Sequence, residues 1–478
     1  MSLLVAAVGC GGAPSSAAHS TQPVTLRVGV GQITPGNPLN GLRQVASNLS
    51  FEGLIRIGPD GRARPWLAKS WSLAADGLSI NLELRPEAKF HDGSRANATI
   101  IAAALQGALP QFLGPVFDDI KGIEPSADGH RITITFKRPS PLLPESLEAN
   151  IRKPGAPTIG TGPFVSAKPD STGEILANAD YYLGPPAINR IVVTSYPTIR
   201  AAWAEMLRNN IDMLYEVGSD AVSSMQQATS VSMYSFTRPY QYVVLLNVRA
   251  PKFKSAAVRR ALNAAIDRAQ VVRDGFDGHA IAASGLVWPQ NWAFANGVGT
   301  TSFNPQAAAT VLKSKPALRF TCLVPTDYER IALVVQRQLA MVGVTMDVEA
   351  VTPARAYQTL AAPSFEAVMT DIVAGASLLR PYELWHSGGS LYPGGIGSPE
   401  MDSALDRIRG AGSDEEYRKA VGNFQKVTTD DPPAIYLAWG ERSRAVSKRF
   451  DVPVEAGRDV LGTIRLWKPL VDQRAARN

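Results

Sequence analysis

The side chains that could carry acid–base, nucleophilic or metal chemistry are few in this 478-residue chain and are scattered along it. His91 stands beside Asp92, but the pair falls in a turn sequence, where it is typical of a hydrogen-bonded bend rather than of a catalytic pair. The sequence contains no Gly-Lys dipeptide, no Gly-x-Ser-x-Gly and no His-Glu-x-x-His. The five histidines lie far apart in the sequence: His19, His91, His130, His279 and His386. We therefore predict a protein that is not an enzyme and that holds no metal ion and no cofactor.

Length and charge narrow the class of protein further. A chain of 478 residues is too long for one hydrophobic core and indicates two or three globular units. The formal net charge of +6 comes from 48 basic and 42 acidic residues, and the basic residues occur singly or in pairs such as Arg259-Arg260. Because a nucleic-acid surface needs a concentrated basic patch, we predict no nucleic-acid partner.

The elements that must position any site are clearest between Pro65 and Leu105. Apolar residues alternate with polar ones from Leu78 to Leu84, which predicts a half-buried strand entered through the turn Asp76-Gly77. An Ala- and Ile-rich run from Ala98 predicts a buried helix after a second turn. This stretch is therefore predicted to fold as hairpin, turn and helix.

The N-terminus indicates the compartment. A short apolar run ends at Gly9-Cys10 and resembles the lipobox of bacterial lipoproteins, in which the cysteine becomes lipidated. We expect Cys10 to carry a lipid anchor, with residues 1–23 as signal remnant and flexible tether. The other cysteine, Cys322, is predicted to be a small buried side chain in a strand.

Several motifs in order along the chain resemble one protein family. They include Leu67-Ala68 with Ser70-Trp71, then Phe90 to Ser94, then Gly160-Thr161-Gly162-Pro163-Phe164, and finally the helix from Val258 to Arg268. These motifs are similar to those of the extracytoplasmic solute-binding proteins of family 5, the peptide-binding receptors of ABC importers. The resemblance covers residues 24 to 470, nearly the whole folded chain.

The resemblance implies a fold and a function. It implies an α/β, bilobal, periplasmic-binding-protein-like fold of type II, in the large three-subdomain cluster, with two lobes joined by a two-strand hinge. Lobe one is expected at residues 24–245 plus 440–478, with an inserted subdomain at about 50–160, and lobe two at 246–439. The implied protein is a monomer, periplasmic or at the cell surface, that captures a peptide or other small amphipathic solute between the lobes and delivers it to the permease subunits of an ABC transporter.

One segment departs from the family pattern. Peptide-binding members carry a Trp and an Asp after the "FD" strand, and here Ile372 and Gly375 stand near those positions, with Asp371 displaced by a few residues. A non-peptide ligand such as a glycoside, a conjugate or a metal chelate is therefore an open alternative. A secreted hydrolase, and a periplasmic sensor or chaperone-like subunit, are alternatives from other classes.

The solute-binding residues are expected on segments at the lobe junction. Their aromatic rings and single charges suit an amphipathic ligand with a charged end. Trp385 and Trp439 have a plain alternative as core residues, and Arg380 as a surface charge. The predicted ligand-binding set is Asn37, Asn40, Arg238, Tyr240, Trp288, Asp371, Arg380, Tyr382, Trp385 and Trp439.

Overall fold

The structure is a computed structural model that describes residues 23–31, 39–167, 173–313, 317–360, 365–389, 391 and 396–470. Cys10 and Asn37 lie outside the described residues, as does almost all of the predicted tether at 1–23. Asn40 lies in a described helix, but its side chain is outside the described part. The predictions made for these three side chains therefore stay predictions.

The described residues form strands, α-helices and short 3₁₀ turns. The strands are β1 Thr25–Gly31, β2 Ile55–Ile57, β3 Ala63–Pro65, β4 Ala68–Leu73, β5 Ser79–Leu84, β6 Ile120–Pro125, β7 Arg131–Phe136, β8 Phe164–Ser166, β9 Glu174–Ala177, β10 Arg190–Tyr196, β11 Met213–Val217, β12 Val231–Leu246, β13 Ala280–Ala282, β14 Arg319–Pro325, β15 Thr345–Val351, β16 Ala367–Val373, β17 Ala434–Ser447, β18 Phe450–Asp451 and β19 Lys468–Pro469. The helices are α1 Leu39–Ser50, α2 Ala98–Leu113, α3 Leu142–Glu145, α4 Ile199–Leu207, α5 Ser219–Gln226, α6 Ala256–Ala264, α7 Arg268–Gly275, α8 Pro305–Lys313, α9 Glu329–Met341, α10 Pro353–Leu360, α11 Leu379–Trp385, α12 Pro399–Arg409 and α13 Asp414–Asp430.

Two long antiparallel strands, β12 and β17, run through the middle of the main sheet. The strand order is β15-β14-β16-β12-β17-β11-β1-β10-β9-β8, and β13 pairs with β17. The C-terminal part of β12 pairs with β16 from Tyr240 to Leu246, whereas the C-terminal part of β17 pairs with β11. Each half of the sheet therefore belongs to a different lobe, and the two strands join the lobes.

The β12–β17 pairing is irregular where the strands pass from one half to the other. The register shifts between Thr237 and Gln241, opposite the segment from Trp439 to Glu441. On the second-lobe side, residues 242–246 of β12 and 434–440 of β17 are all buried, as expected of central strands covered on both faces. The predicted lobe limits at residues 245 and 440 stay a prediction. The register of the β12–β17 pairing shifts just after Thr237, a few residues before the first of these limits.

The inserted subdomain follows the predicted hairpin, turn and helix. A four-stranded sheet, β4-β5-β7-β6, buries Ile80, Leu82 and Leu84 against α2. Asn97 begins that helix, since its Oδ1 accepts a hydrogen bond of 3.0 Å from the Ile100 N–H. By length and composition alone, residues 98–119 could cross a membrane. In the fold, this helix packs its apolar side chains into the subdomain core.

The turn at His91 is hydrogen-bonded to the segment around Gly160 and Gly162. Its Nε2 lies 3.1 Å from the Gly162 carbonyl oxygen, and its backbone N–H donates to Gly160 O at 2.9 Å. Glycine is needed at both of these positions because a Cβ would collide with the carbonyl oxygens of Leu49 and Ser50 in the preceding helix. The Gly160-Thr161-Gly162 signature therefore marks a place where this segment passes close to the backbone of α1.

Each lobe has its own apolar core. Leu26, Val28 and Trp467 belong to the core of the first lobe, and Phe320 and Cys322 belong to that of the second. Cys322 is fully buried in β14, which confirms its predicted role, and burial raises the pKa of its thiol to about 12. This thiol is therefore unreactive at neutral pH.

Candidate ligand-binding site

A cavity of about 570 Å³ lies between the lobes at the two joining strands. The inserted subdomain contributes residues 57–59 and 145–150, and β12 contributes residues 236–239. The second lobe contributes residues 373–380, and the chain beyond β17 contributes residues 457–459. Both lobes therefore supply walls, and a molecule held here touches them at the same time.

The lobes also contact each other directly beside this cavity. The Trp288 indole N–H donates to the Pro59 carbonyl oxygen at 2.9 Å, and the Trp292 backbone N–H donates to Asp60 O at 2.9 Å. Farther away, Arg409 of the second lobe forms an ion pair of 2.7 Å with Asp119 of the inserted subdomain. The structure therefore shows the lobes closed upon the cavity.

Basic groups occupy the part of the wall near the joining strands. The Arg238 guanidinium lies 3.7 Å from the ring centroid of Tyr240, a cation–π contact that holds both side chains at the crossing. Arg380 lies 4.7 Å from the ring centroid of Phe112 and forms an ion pair with Glu383. These arginines come from different lobes, so an anionic group between them would be bound by both.

Acidic groups occupy the wall formed by the inserted subdomain. Glu145 is 8% exposed and lies beside the Ser377 hydroxyl and the Leu379 N–H of the second lobe, both of which favour its ionised form. Burial raises the pKa of this carboxyl to about 8. Glu148 opens onto the cavity, and its Oε1 accepts a hydrogen bond of 3.0 Å from the Ile57 N–H. The pKa of Glu148 is also raised, because the cavity walls partly desolvate its carboxylate even though the side chain is exposed.

The segment after β17 adds one charge of each sign. The Arg458 guanidinium donates to Ile57 O at 2.6 Å, and burial, with Arg56 as a further cause, lowers its pKa to about 10. Asp459 accepts a hydrogen bond of 2.6 Å from Arg444. The cavity wall therefore carries three arginines and three acidic residues, which suits a ligand with both signs of charge.

A smaller cavity of about 360 Å³ lies within the first lobe. It shares Glu148, Asn150, Arg458 and Asp459 with the interlobe cavity, so the two spaces adjoin. A wider groove of about 890 Å³ lies between α12 and α13, wholly on the surface of the second lobe. Of these three spaces, only the interlobe cavity has walls from both lobes.

Glu52 organises one side of the smaller cavity. Its Oε1 accepts from Trp66 Nε1 at 2.7 Å and from the Tyr181 hydroxyl at 2.5 Å. Its Oε2 accepts from the hydroxyls of Tyr182 at 3.1 Å and Thr161 at 3.3 Å. Burial raises the pKa of Glu52, and these four donors oppose that shift by stabilising the ionised form.

Of the predicted ligand-binding residues, Arg238 and Arg380 line the interlobe cavity. Tyr240 does not line it but stacks on Arg238. Trp288 and Trp439 are 4% and 1% exposed and pack edge to face with ring centroids 5.1 Å apart. They lie in the layer behind the wall, where partly buried Ala376 packs against their cluster.

The other predicted residues of the second lobe lie away from the cavity. Asp371 accepts a hydrogen bond of 2.8 Å from the Tyr328 hydroxyl. Tyr382 is 1% exposed and bonds Asp406 and Arg409 through its hydroxyl. Trp385 is 1% exposed in the core. These three side chains are therefore held by contacts within the protein.

Sequence reasoning missed the acidic wall formed by Glu145 and Glu148, the ring of Phe112, and Arg458. No local motif marks them, because the topology brings together segments far apart in sequence. The segment that departs from the family pattern was the one useful signal, since Val373 and Gly375 both line the cavity. In the described part of the chain, no group of three or more His, Cys, Asp or Glu side chains could hold a metal ion.

Two lobes joined by two strands, with a cavity between them, form a fold of the periplasmic-binding-protein type. The description "Bacterial extracellular solute-binding proteins, family 5 Middle" matches residues 62–389. The chain belongs to this family. The predicted family and fold class are thereby confirmed.

Two characterised relatives are similar over part of the chain. The probable di/tripeptide-binding protein 5 of Pseudomonas aeruginosa is 25% identical over 296 residues, which are 53% of this chain and 56% of that protein. The glutathione-binding protein GsiB of Escherichia coli is 24% identical over 366 residues, which are 70% of this chain and 71% of that protein. The match to the first relative thus spans little more than half of its length.

Solved structures share the fold over nearly the whole chain. NikZ from Campylobacter jejuni, in complex with Ni(L-His), superposes with a TM-score of 0.79 at 21% identity, covering 93% of this chain and 99% of that one. The oligopeptide-binding protein AppA from Bacillus subtilis, in complex with a nonapeptide, gives 0.78 at 19% identity, covering 94% and 100%. One fold therefore serves ligands of very different size.

Proposed function

We propose that this protein is the substrate-binding component of an ABC importer, which captures a small solute between its lobes and delivers it to a membrane permease. The observation that carries this proposal is the interlobe cavity of about 570 Å³, whose walls come from both lobes. Its volume falls within the range of about 300–1,000 Å³ that small-molecule sites occupy. A ligand that touches both walls only when the lobes are shut favours the closed form.

The charges of the wall favour a solute with both an anionic and a cationic group. Arg238 and Arg380 face an anionic group from two lobes, while Glu145 and Glu148 stand on the subdomain wall. A di- or tripeptide fits this description, and relatives named for di- and tripeptides and for glutathione support it. A metal chelate such as the one bound by NikZ is the second candidate ligand, because that protein shares the fold over nearly all of this chain.

The protein acts without changing its ligand. The acidic and basic side chains of the cavity wall are held by ion pairs, cation–π contacts and hydrogen bonds, and these suit binding. His91 is engaged with backbone groups away from this cavity. A secreted hydrolase and a sensor or chaperone-like subunit remain as outcomes of the tests below.

The remaining parts of the proposal concern location and assembly. The protein works as a monomer outside the cytoplasm, with a lipid on Cys10 holding it at the membrane beside its permease. Metabolic labelling with a fatty acid should mark the wild-type chain and not Cys10→Ser. Label retained by Cys10→Ser would contradict the anchor without bearing on solute binding.

Calorimetry with tri-L-alanine, glutathione and the nickel–histidine complex tests the function. We expect at least one of them to bind with one site per chain and to be recovered unchanged. Saturating ligand should raise the unfolding temperature, because it binds only the folded state. Recovery of hydrolysed peptide would favour the hydrolase, and absence of any binding, together with an empty protein after gentle isolation, would contradict the receptor.

A further inference from the structure

Buried and half-buried carboxylates in this fold almost always meet donors from the protein. Glu52 has four donors, and Asp119 is paired with Arg138 at 2.8 Å and with Arg409 at 2.7 Å. Asp459 is paired with Arg444 at 2.6 Å. This pattern is expected, because a buried charge without partners is costly.

Glu145 and Glu383 depart from that pattern, since one oxygen of each has no hydrogen-bond donor in the described part of the chain. The other oxygen of Glu383 pairs with Arg380, and of the two residues only Glu145 lines the interlobe cavity. The Glu145 carboxylate lies beside Ser377 and Leu379, and its Oε2 has no hydrogen-bond donor within the described part of the chain. The side chain is more than nine-tenths buried in the wall of the interlobe cavity. A buried acceptor without a partner costs about 1–3 kcal/mol, so the Glu145 carboxylate has hydrogen-bonding capacity that the described part of the protein does not use.

Glu148 supplies a second carboxylate on the same wall. It follows Glu145 by three positions, and in contrast to Glu145 its surface opens into the cavity. Its one described hydrogen bond is accepted by Oε1 from the Ile57 N–H. The basic groups nearest to it electrostatically are Arg458, Arg56 and Arg380. The wall thus presents one buried and one accessible carboxylate.

We propose that the carboxylates of Glu145 and Glu148 together bind a cationic group of the solute, an ammonium or a guanidinium. This inference rests on the proposed function and specifies one end of the ligand. An ammonium has three donors and a guanidinium five, so either can bond the carboxylates of Glu145 and Glu148 at the same time. The anionic end of the same solute then points toward Arg238 and Arg380.

The surroundings of Glu145 make the affinity for a cation dependent on pH. Glu148 faces it from its own segment, the Tyr417 hydroxyl from α13, and Ser377 and the Leu379 N–H from the second lobe. Arg380 and Arg458 line the same cavity. Because the pKa of Glu145 is raised to about 8, the carboxyl is mostly protonated at pH 7 without ligand. A cation binds the ionised form, so binding at pH 7 releases a proton.

The alternative role for Glu145 is purely structural, as a contact between the lobes. Glu145→Gln keeps a side-chain oxygen that can accept from Ser377 and Leu379, and it removes the charge. Glu148→Gln is the second variant, at an accessible position that leaves folding intact. Glu366→Gln is the matched control, because its carboxylate pairs with Lys252 on the outer side of the second lobe.

Calorimetry with paired probes tests the inference. The probes are tri-L-alanine and N-acetyl-tri-L-alanine, and glutathione with and without acetylation of its amine. We expect the free amines to bind wild-type protein at least tenfold more tightly than the acetylated forms. The double variant Glu145→Gln/Glu148→Gln should lose that preference, while Glu366→Gln keeps it. At pH 7, comparison of phosphate and Tris buffers should show proton release for wild type and none for Glu145→Gln.

Each contrary outcome has its own meaning. Equal binding of free and acetylated probes, or an unchanged preference in the double variant, would overturn the inference and leave the receptor function standing. If no probe binds, mass spectrometry of the copurified solute decides. A solute without a cationic group overturns the inference alone, and a protein that carries no solute and binds none overturns the proposed function with it.

Discussion

Glu52 and Glu145 are both nearly buried carboxylates beside a cavity, yet their surroundings differ. Glu52 is 7% exposed and Glu145 is 8% exposed, so burial does not separate them. Four protein donors satisfy Glu52, whereas one oxygen of Glu145 has no donor in the described structure. The first carboxylate therefore stabilises the fold of one lobe. The second is the carboxylate that we propose to meet a solute between the lobes.

The largest effect we predict is on stability, at Glu52. Glu52→Ala should lower the free energy of unfolding by about 4 kcal/mol, because four donors, among them the hydroxyls of Tyr181 and Thr161, lose their acceptor. Differential scanning calorimetry measures the loss as a lower unfolding temperature. Glu83→Ala, on the exposed face of β5, is the control and should change little. A similar small change for both variants would show that Glu52 is not the structural group described here.

The second prediction concerns pH and Glu145. Because the folded-state pKa of about 8 lies above the unfolded value, the unfolded chain releases this proton first as pH rises. The contribution of this group to the free energy of unfolding is thus largest at acidic pH. It falls by a few kcal/mol at most between about pH 4.5 and pH 8. Glu145→Gln should remove this decline, which pH-dependent thermal unfolding detects. Parallel pH profiles for the two proteins would contradict the assignment.

The third prediction tests the opposite end of the cavity. Arg238→Gln should weaken binding of tri-L-alanine about tenfold, since a charge-assisted hydrogen bond contributes about 1.4 kcal/mol or more. Arg337→Gln, on the exposed surface of α9, is the matched control. Calorimetry gives both affinities. If the two variants bind alike, the anionic group of the ligand does not lie at Arg238.

The smallest effect is expected for the contact between the lobes. Trp288→Phe keeps an aromatic ring but removes the indole N–H that donates to Pro59 O. The free energy that favours the closed form over the open form should fall by about 0.7 kcal/mol, which weakens ligand binding about threefold. Trp467→Phe removes a comparable bond of 3.2 Å to Thr463, which lies within the first lobe, and should leave affinity unchanged. Equal losses of affinity would mean that the Trp288 bond does not report on closure.

Most of the fold could be predicted from local patterns. The alternation at Ile80, Leu82 and Leu84 predicted β5, and Cys322 lies where a small apolar residue in a strand was expected. Such signals are short in range and depend on neighbours along one element. The family motifs then supplied the arrangement of the lobes, which periodicity alone does not contain.

The site was harder to predict because the cavity joins segments distant in sequence. Arg238 and Arg380 line the cavity near the predicted lobe junction, and their role in ligand binding stays a prediction. Trp385 and Trp439 were chosen for their aromatic rings, but a ring that lines a ligand site and a ring in a core look alike in sequence. Glu145 could not be recognised, since the lack of a donor at its Oε2 depends on which distant segments surround it in the fold.

A crystal structure of the gently purified protein with its copurified solute tests the account most directly. The account predicts an intact solute in the interlobe cavity, with a cationic group at hydrogen-bond distance from Glu145 and Glu148 and an anionic group beside Arg238. A solute bound instead in the groove between α12 and α13, or cleaved or covalently attached to the protein, would contradict it.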